Sequence, residues 1–273
     1  MPLASARGLI SSGALTPYAN GSALLSASSQ GGTAANVGTF TVPSKVRYLR
    51  ITVRGGATDW SGTGGYWFLC GKGGTLRATL RVTPGEIYRV DTFPGGGNRS
   101  QSEGSAPNKL KSSLGASTVA FGPNLGSLLT QSTLWMIAGA GGGNAGIDNN
   151  GPVYIGGAGG GDTGASGGTG PGYGGGQSSG GDGNGQALAG GMDTTGTGSF
   201  ARAGGGAGWY GGGAGGAGSS GLGAGGGGSS KIQIPSDRSP TTVENSQGTW
   251  PNPAIISDAD YRWAQTTQVL IEY

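Results

Sequence analysis

Apolar and polar positions alternate in several stretches of this chain. From Tyr48 to Arg54, Leu49, Ile51 and Val53 fall on one side, and Tyr48, Arg50 and Thr52 on the other. Leu76, Ala78, Leu80 and Val82 alternate with Arg77, Thr79 and Arg81, and Pro84-Gly85 then leads into Ile87-Tyr88-Arg89-Val90. A period of two belongs to a strand with one buried face, and adjacent Pro and Gly suit the centre of a tight turn. The spacing predicts a hairpin over 76–90. Leu134 to Ala138 predicts a buried strand, and Gln268 to Tyr273 a closing one. Helical spacing of apolar residues does not occur, so the expected fold class is all-β with little helix.

Composition changes this picture at residue 139. The 273 residues include 66 glycines, of which 22 fall in 1–138, 43 in 139–228 and one in 229–273. Four segments are expected: an N-terminal arm or docking segment over 1–38, a β scaffold over 39–138, a glycine-rich bundle over 139–230, and a C-terminal segment over 231–273 whose last strand returns to the scaffold. Collagen is excluded for the glycine segment, because Gly139 and Gly142 are followed by Ala145 and the three-residue repeat is lost. Gly/Ser tracts also make flexible linkers, but here near-pure glycine runs alternate with large residues. Examples are Gly141-Gly142-Gly143, Gly174-Gly175-Gly176, Gly211-Gly212-Gly213 and Gly225 to Gly228, interrupted by Tyr173, Met192, Phe200 and Trp209-Tyr210.

That pattern suits extended three-fold helices of polyproline II geometry bonded side to side. Any Cβ would block their approach, so interior runs must be glycine and larger residues must fall at turns or on the outside. Ordering a glycine costs about 0.5–1 kcal/mol more than ordering an alanine. Only near-complete backbone hydrogen bonding offsets such a cost over so many positions.

Residues that carry chemistry are scarce. The chain has no histidine, which removes an imidazole base, a histidine metal ligand and a Ser-His-Asp triad. Its one cysteine, Cys70, allows neither an intrachain disulfide nor a cysteine metal cluster, and is expected to be a small buried hydrophobe. No Walker phosphate loop, GxxxxGK[ST], occurs. Gly180 to Gly185 partly echoes calcium-binding nonapeptide repeats, but a glycine stands where an aspartate is needed and no tandem copy follows. Asp148, Asp162, Asp182 and Asp193 are expected to be solvated loop carboxylates rather than a glycosidase pair. No enzyme activity, cofactor or metal is therefore expected.

The formal net charge is +3, and 12 of the 16 basic residues lie between Arg7 and Lys111, interleaved with apolar positions. No basic stripe follows the glycines, so a nucleic-acid partner is not expected. Arg47, Arg50, Arg54, Arg77, Arg81 and Arg89 are expected to form a solvated sheet face, with a functional patch as the alternative. The N-terminal residues do not read as a secretory leader, no run reaches the ~20 apolar residues of a membrane helix, and membrane insertion is not expected.

A resemblance rests on Tyr48-Leu49-Arg50-Ile51-Thr52-Val53-Arg54-Gly55-Gly56, Gly71-Lys72-Gly73-Gly74-Thr75-Leu76, Val82-Thr83-Pro84-Gly85-Glu86-Ile87-Tyr88-Arg89-Val90 and Ala138-Gly139-Ala140-Gly141-Gly142-Gly143. In that order, over about residues 39 to 273, the chain resembles the glycine-rich domain shared by phage and bacterial surface proteins and the anaplastic lymphoma kinase receptor family. Its layout is similar to that of phage tail-fibre tip adhesins. The resemblance implies an antiparallel β scaffold carrying a polyglycine II helix bundle. It also implies a non-enzymatic virion protein, assembled in the host cytoplasm, that acts in a tail fibre or tail tip as the receptor-binding component. A capsid decoration or cement protein is the alternative. The partners expected are other virion proteins, through 1–38 and the β scaffold, and a host surface saccharide or outer-membrane protein. Recognition is expected from residues that interrupt the glycine runs: Tyr154, Asp162, Tyr173, Asp182, Phe200, Trp209 and Tyr210. For the aromatics, capping the bundle or packing on the scaffold is the competing expectation.

Overall fold

A computed structural model describes residues 21–28, 33–57, 71–96, 110–112, 114–147, 153–168, 172–182, 184–192, 201–216, 222–248 and 266–273. These residues are nearly all β, without an α-helix. The strands are β1 (Ser22–Ser28), β2 (Ala35–Thr41), β3 (Tyr48–Arg54), β4 (Thr75–Arg81), β5 (Ile87–Phe93), β6 (Leu110–Ser112), β7 (Thr118–Pro123) and β8 (Met136–Ile137). They continue with β9 (Ala145–Ile147), β10 (Val153–Tyr154), β11 (Ala201–Arg202), β12 (Leu222–Gly223), β13 (Lys231–Ile232), β14 (Thr241–Ser246) and β15 (Thr266–Glu272).

Ten of these strands make two antiparallel five-stranded sheets, ordered β1-β15-β3-β4-β14 and β13-β8-β7-β5-β2. The alternation described above puts Leu49, Ile51, Val53, Leu76, Ala78, Leu80, Val269 and Ile271 on the inner face of the first sheet. They share one core with Phe40, Tyr88, Val90, Val119, Phe121 and Met136 of the second. A smaller cluster of Phe93, Ala120, Leu129, Leu134 and Ile137 lies on the other face of the second sheet, with Leu188 and Trp209 packed against it.

Two expectations need correction. The Pro84-Gly85 turn does form, with Gly85 at φ 85 and the Glu86 amide donating to the Thr83 carbonyl at 3.1 Å, but it does not close a hairpin. β4 pairs with β3 and β14, whereas β5 pairs with β2 and β7. The turn carries the chain from one sheet to the other. A period of two shows which face of a strand is buried, and it does not show which strand is the neighbour. The scaffold also begins earlier than residue 39. β1, inside the segment expected to be an arm, pairs with β15, and β2, which begins in that segment and ends at Thr41, pairs with β5. The serines and alanines of β1 make a weak strand signal, and Asn36 and Gly38 interrupt that of β2 at the point where its register shifts.

The connections leaving one end of this sandwich carry the glycines. Residues 55–57 follow β3, 71–74 precede β4, 94–96 follow β5, 114–117 precede β7, and 138–230 join β8 to β13. Among the described residues of 138–230 the glycine runs are bonded to one another by backbone groups. Their bonds recur every third residue. Gly225 and Gly228 donate to Gly143 and Ala140, Gly157 and Gly160 donate to Gly225 and Gly228, and Gly172 and Gly175 donate to Ala224 and Gly227.

The run 223–230 is enclosed by six others. Its amides at Gly225, Gly226 and Gly227 donate to Gly143, Gly213 and Ala165, while the carbonyls of the same three residues accept from Gly157, Gly206 and Gly175. Each residue thus faces one run as donor and another as acceptor, and three residues account for all six. A Cβ at Gly226 would overlap the Tyr173 carbonyl, and one at Gly213 the Asp182 carbonyl. Glycines that precede residue 139 belong to the same arrangement: Ala116 donates to Gly141, Gly141 to Gly56 and Gly96 to Gly205.

Candidate functional site

The bond register fixes where each expected contact residue sits. Gly228, Ser229 and Ser230 lead directly into β13, so residues level with them lie at the sandwich end of the glycine runs, and residues level with Gly223 lie at the far end. Trp209 and Tyr210 are level with Ser229, to which the Trp209 amide donates at 2.8 Å. Asp162 lies in the turn between two runs at the same end.

These three residues join a seam between glycine runs and sandwich. The Trp209 indole Nε1 donates to the Gln177 carbonyl at 3.1 Å, and its own carbonyl accepts from Gln131 Nε2 at 2.7 Å. Lys231 Nζ lies 5.6 Å from the Trp209 ring centre and donates to Gln177 Oε1 at 2.9 Å. Gln177 Nε2 reaches the carbonyls of Asp162 and Ser230. The Tyr210 ring stands edge-on to Trp209 with centres 6.2 Å apart. With its indole N–H satisfied, its ring on the smaller core and a cation beside it, Trp209 is occupied in holding the two parts together.

Tyr173 and Asp182 occupy a flank of the glycine runs instead. Tyr173 is 52% exposed although its carbonyl accepts from Gly213, so its backbone is fixed and its ring is available. Asp182 is also exposed, and its turn is tied down by the Asn184 side chain, which donates to the Met192 carbonyl at 3.2 Å. Tyr154 lies at the far end in β10, paired with Ala145 of β9, half-buried beside Ile155, which is 47% exposed. Phe200 lies outside the described residues. The seven residues therefore fall in different places and form no single cluster. Sequence reasoning missed Gln177 and Lys231 of the seam and the exposed Ile155, and took Met192 as an interruption of the glycine runs but not as a contact residue, because single residues of these kinds give no periodic signal.

The six arginines also divide. Arg50, Arg54, Arg77 and Arg81 share the outer face of the first sheet. Arg89 is buried on the second sheet, its Nε 2.7 and 2.9 Å from the Asp91 carboxylate oxygens. Arg47 sits ahead of β3 and bonds the carbonyls of Ser44 and Val46.

Two titratable groups mark how each part is fixed. Burial alone would push the Glu86 carboxyl up, but the Thr83 amide, Arg238 and the Tyr88 hydroxyl hydrogen-bond to it and together hold it below its ordinary value. In the glycine connection before β4, burial brings Lys72 down to about 8. Among the described residues no group of His, Cys, Asp or Glu is placed to hold a metal ion, and no helix is long and apolar enough to cross a membrane. No family model matches the chain, and no curated protein is similar to it in sequence.

Proposed function

We propose that this protein is a non-enzymatic phage virion component of a tail fibre or tail tip that attaches the particle to its host, with the glycine segment folded as a polyglycine II bundle. The observation that carries this reading is the recurrence of backbone bonds every third residue around an enclosed run. A ladder of strands has a two-residue repeat, whereas a helix of three residues per turn brings the same donor back to the same neighbour at i+3.

Such a bundle spends its backbone groups on itself, and its interior glycines carry no side chains for chemistry. What it offers is a rigid mount for the side chains on its outside. Tyr173 and Asp182 on the flank, with Tyr154 and Ile155 at the far end, present aromatic and apolar area with a carboxylate nearby, a combination suited to a host saccharide or an outer-membrane protein loop. The sandwich, which takes in β1 and β2, and the residues that precede β1 are left to engage other virion proteins. The resemblance to glycine-rich tail-fibre tips supports the same assignment.

A capsid decoration role is the second reading, and the seam favours it. Trp209 and Tyr210 are the largest adjacent aromatics in the glycine segment, yet they are engaged at the sandwich. Gold-labelled antibody against the protein, applied to purified virions and viewed by electron microscopy, separates the two. Label at the tail tip is the expected result. Label spread over capsid faces would support decoration, and virions without label would overturn both.

A further inference from the structure

We infer that the outer face of the first sheet, along β3 and β4, binds a linear acidic polysaccharide. In the register of these strands Arg81 lies opposite Tyr48, Arg50 opposite Thr79, Arg77 opposite Thr52, and Arg54 opposite Thr75. Arg81, Arg50, Arg77 and Arg54 are therefore successive diagonal neighbours, about 7–8 Å apart at the backbone, and the row runs for about 20 Å. Four guanidiniums stand in a zigzag on one face of a sheet whose other face is the core.

Among the described residues the charges on this row are only loosely matched, and Arg77 Nε also donates to Thr52 Oγ1 at 3.1 Å. Arg54 and Arg81 have no carboxylate within ion-pairing distance among the described residues. Arg50 meets Glu272 only at 3.9 Å and Arg77 meets Glu244 only at 3.7 Å, across partly exposed side chains. Such loose exposed pairs contribute little and open readily to a better acceptor. The two glutamates belong to β15 and β14, the strands on either side. A cationic strip bordered by carboxylates confines an anionic chain to the line of β3 and β4.

The chemistry along the strip selects a glycan over other polyanions. Tyr48, 60% exposed, offers one ring at one end of the row. A single-stranded nucleic acid would need a ring for successive bases. A protein partner would place apolar area at the centre of its footprint and charge at the rim, whereas here the centre is charged. Thr75 and Thr79 stand half-exposed between the arginines, with hydroxyls that can bond sugar hydroxyls. Guanidiniums suit carboxylate or sulfate groups through paired hydrogen bonds. This surface is separate from the glycine runs, and the inference does not depend on the protein's being a host-attachment component.

The test is calorimetric titration of the full chain with oligogalacturonate. Neutral dextran, a single-stranded DNA oligonucleotide and a polyglutamate peptide serve as comparisons. Oligogalacturonate is expected to bind while dextran does not. The affinity should fall as salt rises from about 0.01 to 0.15 M, which shortens the screening length from about 30 to 8 Å. Arg54→Gln with Arg81→Gln should weaken binding about tenfold through the loss of two charge-assisted contacts. Glu244→Gln with Glu272→Gln should tighten it, which checks the strip without removing an arginine. Absence of binding, or an affinity that both pairs of substitutions leave unchanged, overturns the inference. Tighter binding of the DNA or of polyglutamate overturns the assignment to a glycan.

Discussion

In the sandwich, Leu49, Ile51, Leu80 and Phe121 are fully buried, and their side chains fill the space between two sheets. In the glycine runs, Gly225, Gly226, Gly227 and Gly228 are equally buried, and nothing fills the space because the backbones touch. The first region gains stability from apolar area removed from water, and the second from backbone hydrogen bonds whose donors and acceptors are shared among neighbouring runs. The sandwich therefore tolerates changes of side-chain shape at a graded cost, while the glycine runs accept almost none. A scaffold of each kind is vulnerable where the other is forgiving.

The largest expected effect comes from adding the smallest side chain to the enclosed run. Gly226→Ala would drive its methyl group into the Tyr173 carbonyl, and Gly213→Val would do the same against Asp182. The obstacle in both cases is backbone, which cannot rotate aside as a side chain can. Neither variant should give a cooperative melting transition, and a melt near that of wild type would break the comparison.

In the sandwich, Phe121→Ala removes a ring stacked 5.0 Å from Tyr88. It should lower stability by about 3–5 kcal/mol while still folding, as measured by urea denaturation. Trp209→Ala acts at the seam between the two regions. Its ring is only half-buried, so the loss should be about 1–2 kcal/mol, below the range for a fully buried aromatic.

Acid and alkali should distinguish the regions in opposite directions. The Glu86 carboxyl has a folded-state pKa below its unfolded value, so its contribution is complete above the unfolded value and is lost as pH falls through the folded one. Lys72 has a folded pKa lowered from 10.5 to about 8, so its burial penalises the charged form. The unfolded chain then binds more protons between those values, and stability rises as pH goes from about 8 towards 10. Above pH 10 the raised Tyr88 hydroxyl acts in the other sense, its contribution being lost as pH rises, so the comparison belongs below that point. Thermal melts of wild type and Lys72→Met between pH 8 and 10 should differ in slope, with the substitution flattening the rise.

The smallest effect is a favourable one. A Cβ at Gly176 would meet only the Ser179 carbonyl, at an ordinary van der Waals distance of 3.6 Å, and its φ is not positive. Gly176→Ala should be neutral or should stabilise by up to about 1 kcal/mol through the unfolded chain. Set beside Gly226→Ala, it separates glycine needed for close approach from glycine that merely ends a run.

Much of the first sheet was legible because β3 and β4 bury mainly one face, which alternation reports directly, whereas β5 is buried on both faces. β1 and β2 were not legible: Ser22–Ser28 is mostly serine and alanine, and Ala35–Thr41, although it holds Val37, Thr39 and Phe40, is interrupted by Asn36 and Gly38, where its register shifts. The Pro84-Gly85 turn was visible as a turn, but its role as a crossing between sheets is a property of tertiary pairing. Gly55, Gly71 and Gly96 lie in connections whose local composition is unremarkable beside 139–228, so their place among the glycine runs could not be read from density of glycine alone. For the contact residues, the sequence placed Tyr173 and Trp209 outside the interior, since neither ring fits there. Whether each faces solvent or the sandwich depends on register: three residues separate the exposed Tyr173 from Gly176 at the seam.

Amide hydrogen exchange of the enclosed run, followed residue by residue by NMR, tests the central claim most directly. If Gly225, Gly226, Gly227 and Gly228 are each bonded to Gly143, Gly213, Ala165 and Ala140, their amides should exchange only through global unfolding, with protection equal to that of Ile51 and Phe121 in the core strands. Exchange of these four glycines at rates close to those of an unstructured peptide, while the core strands stay protected, would contradict the account.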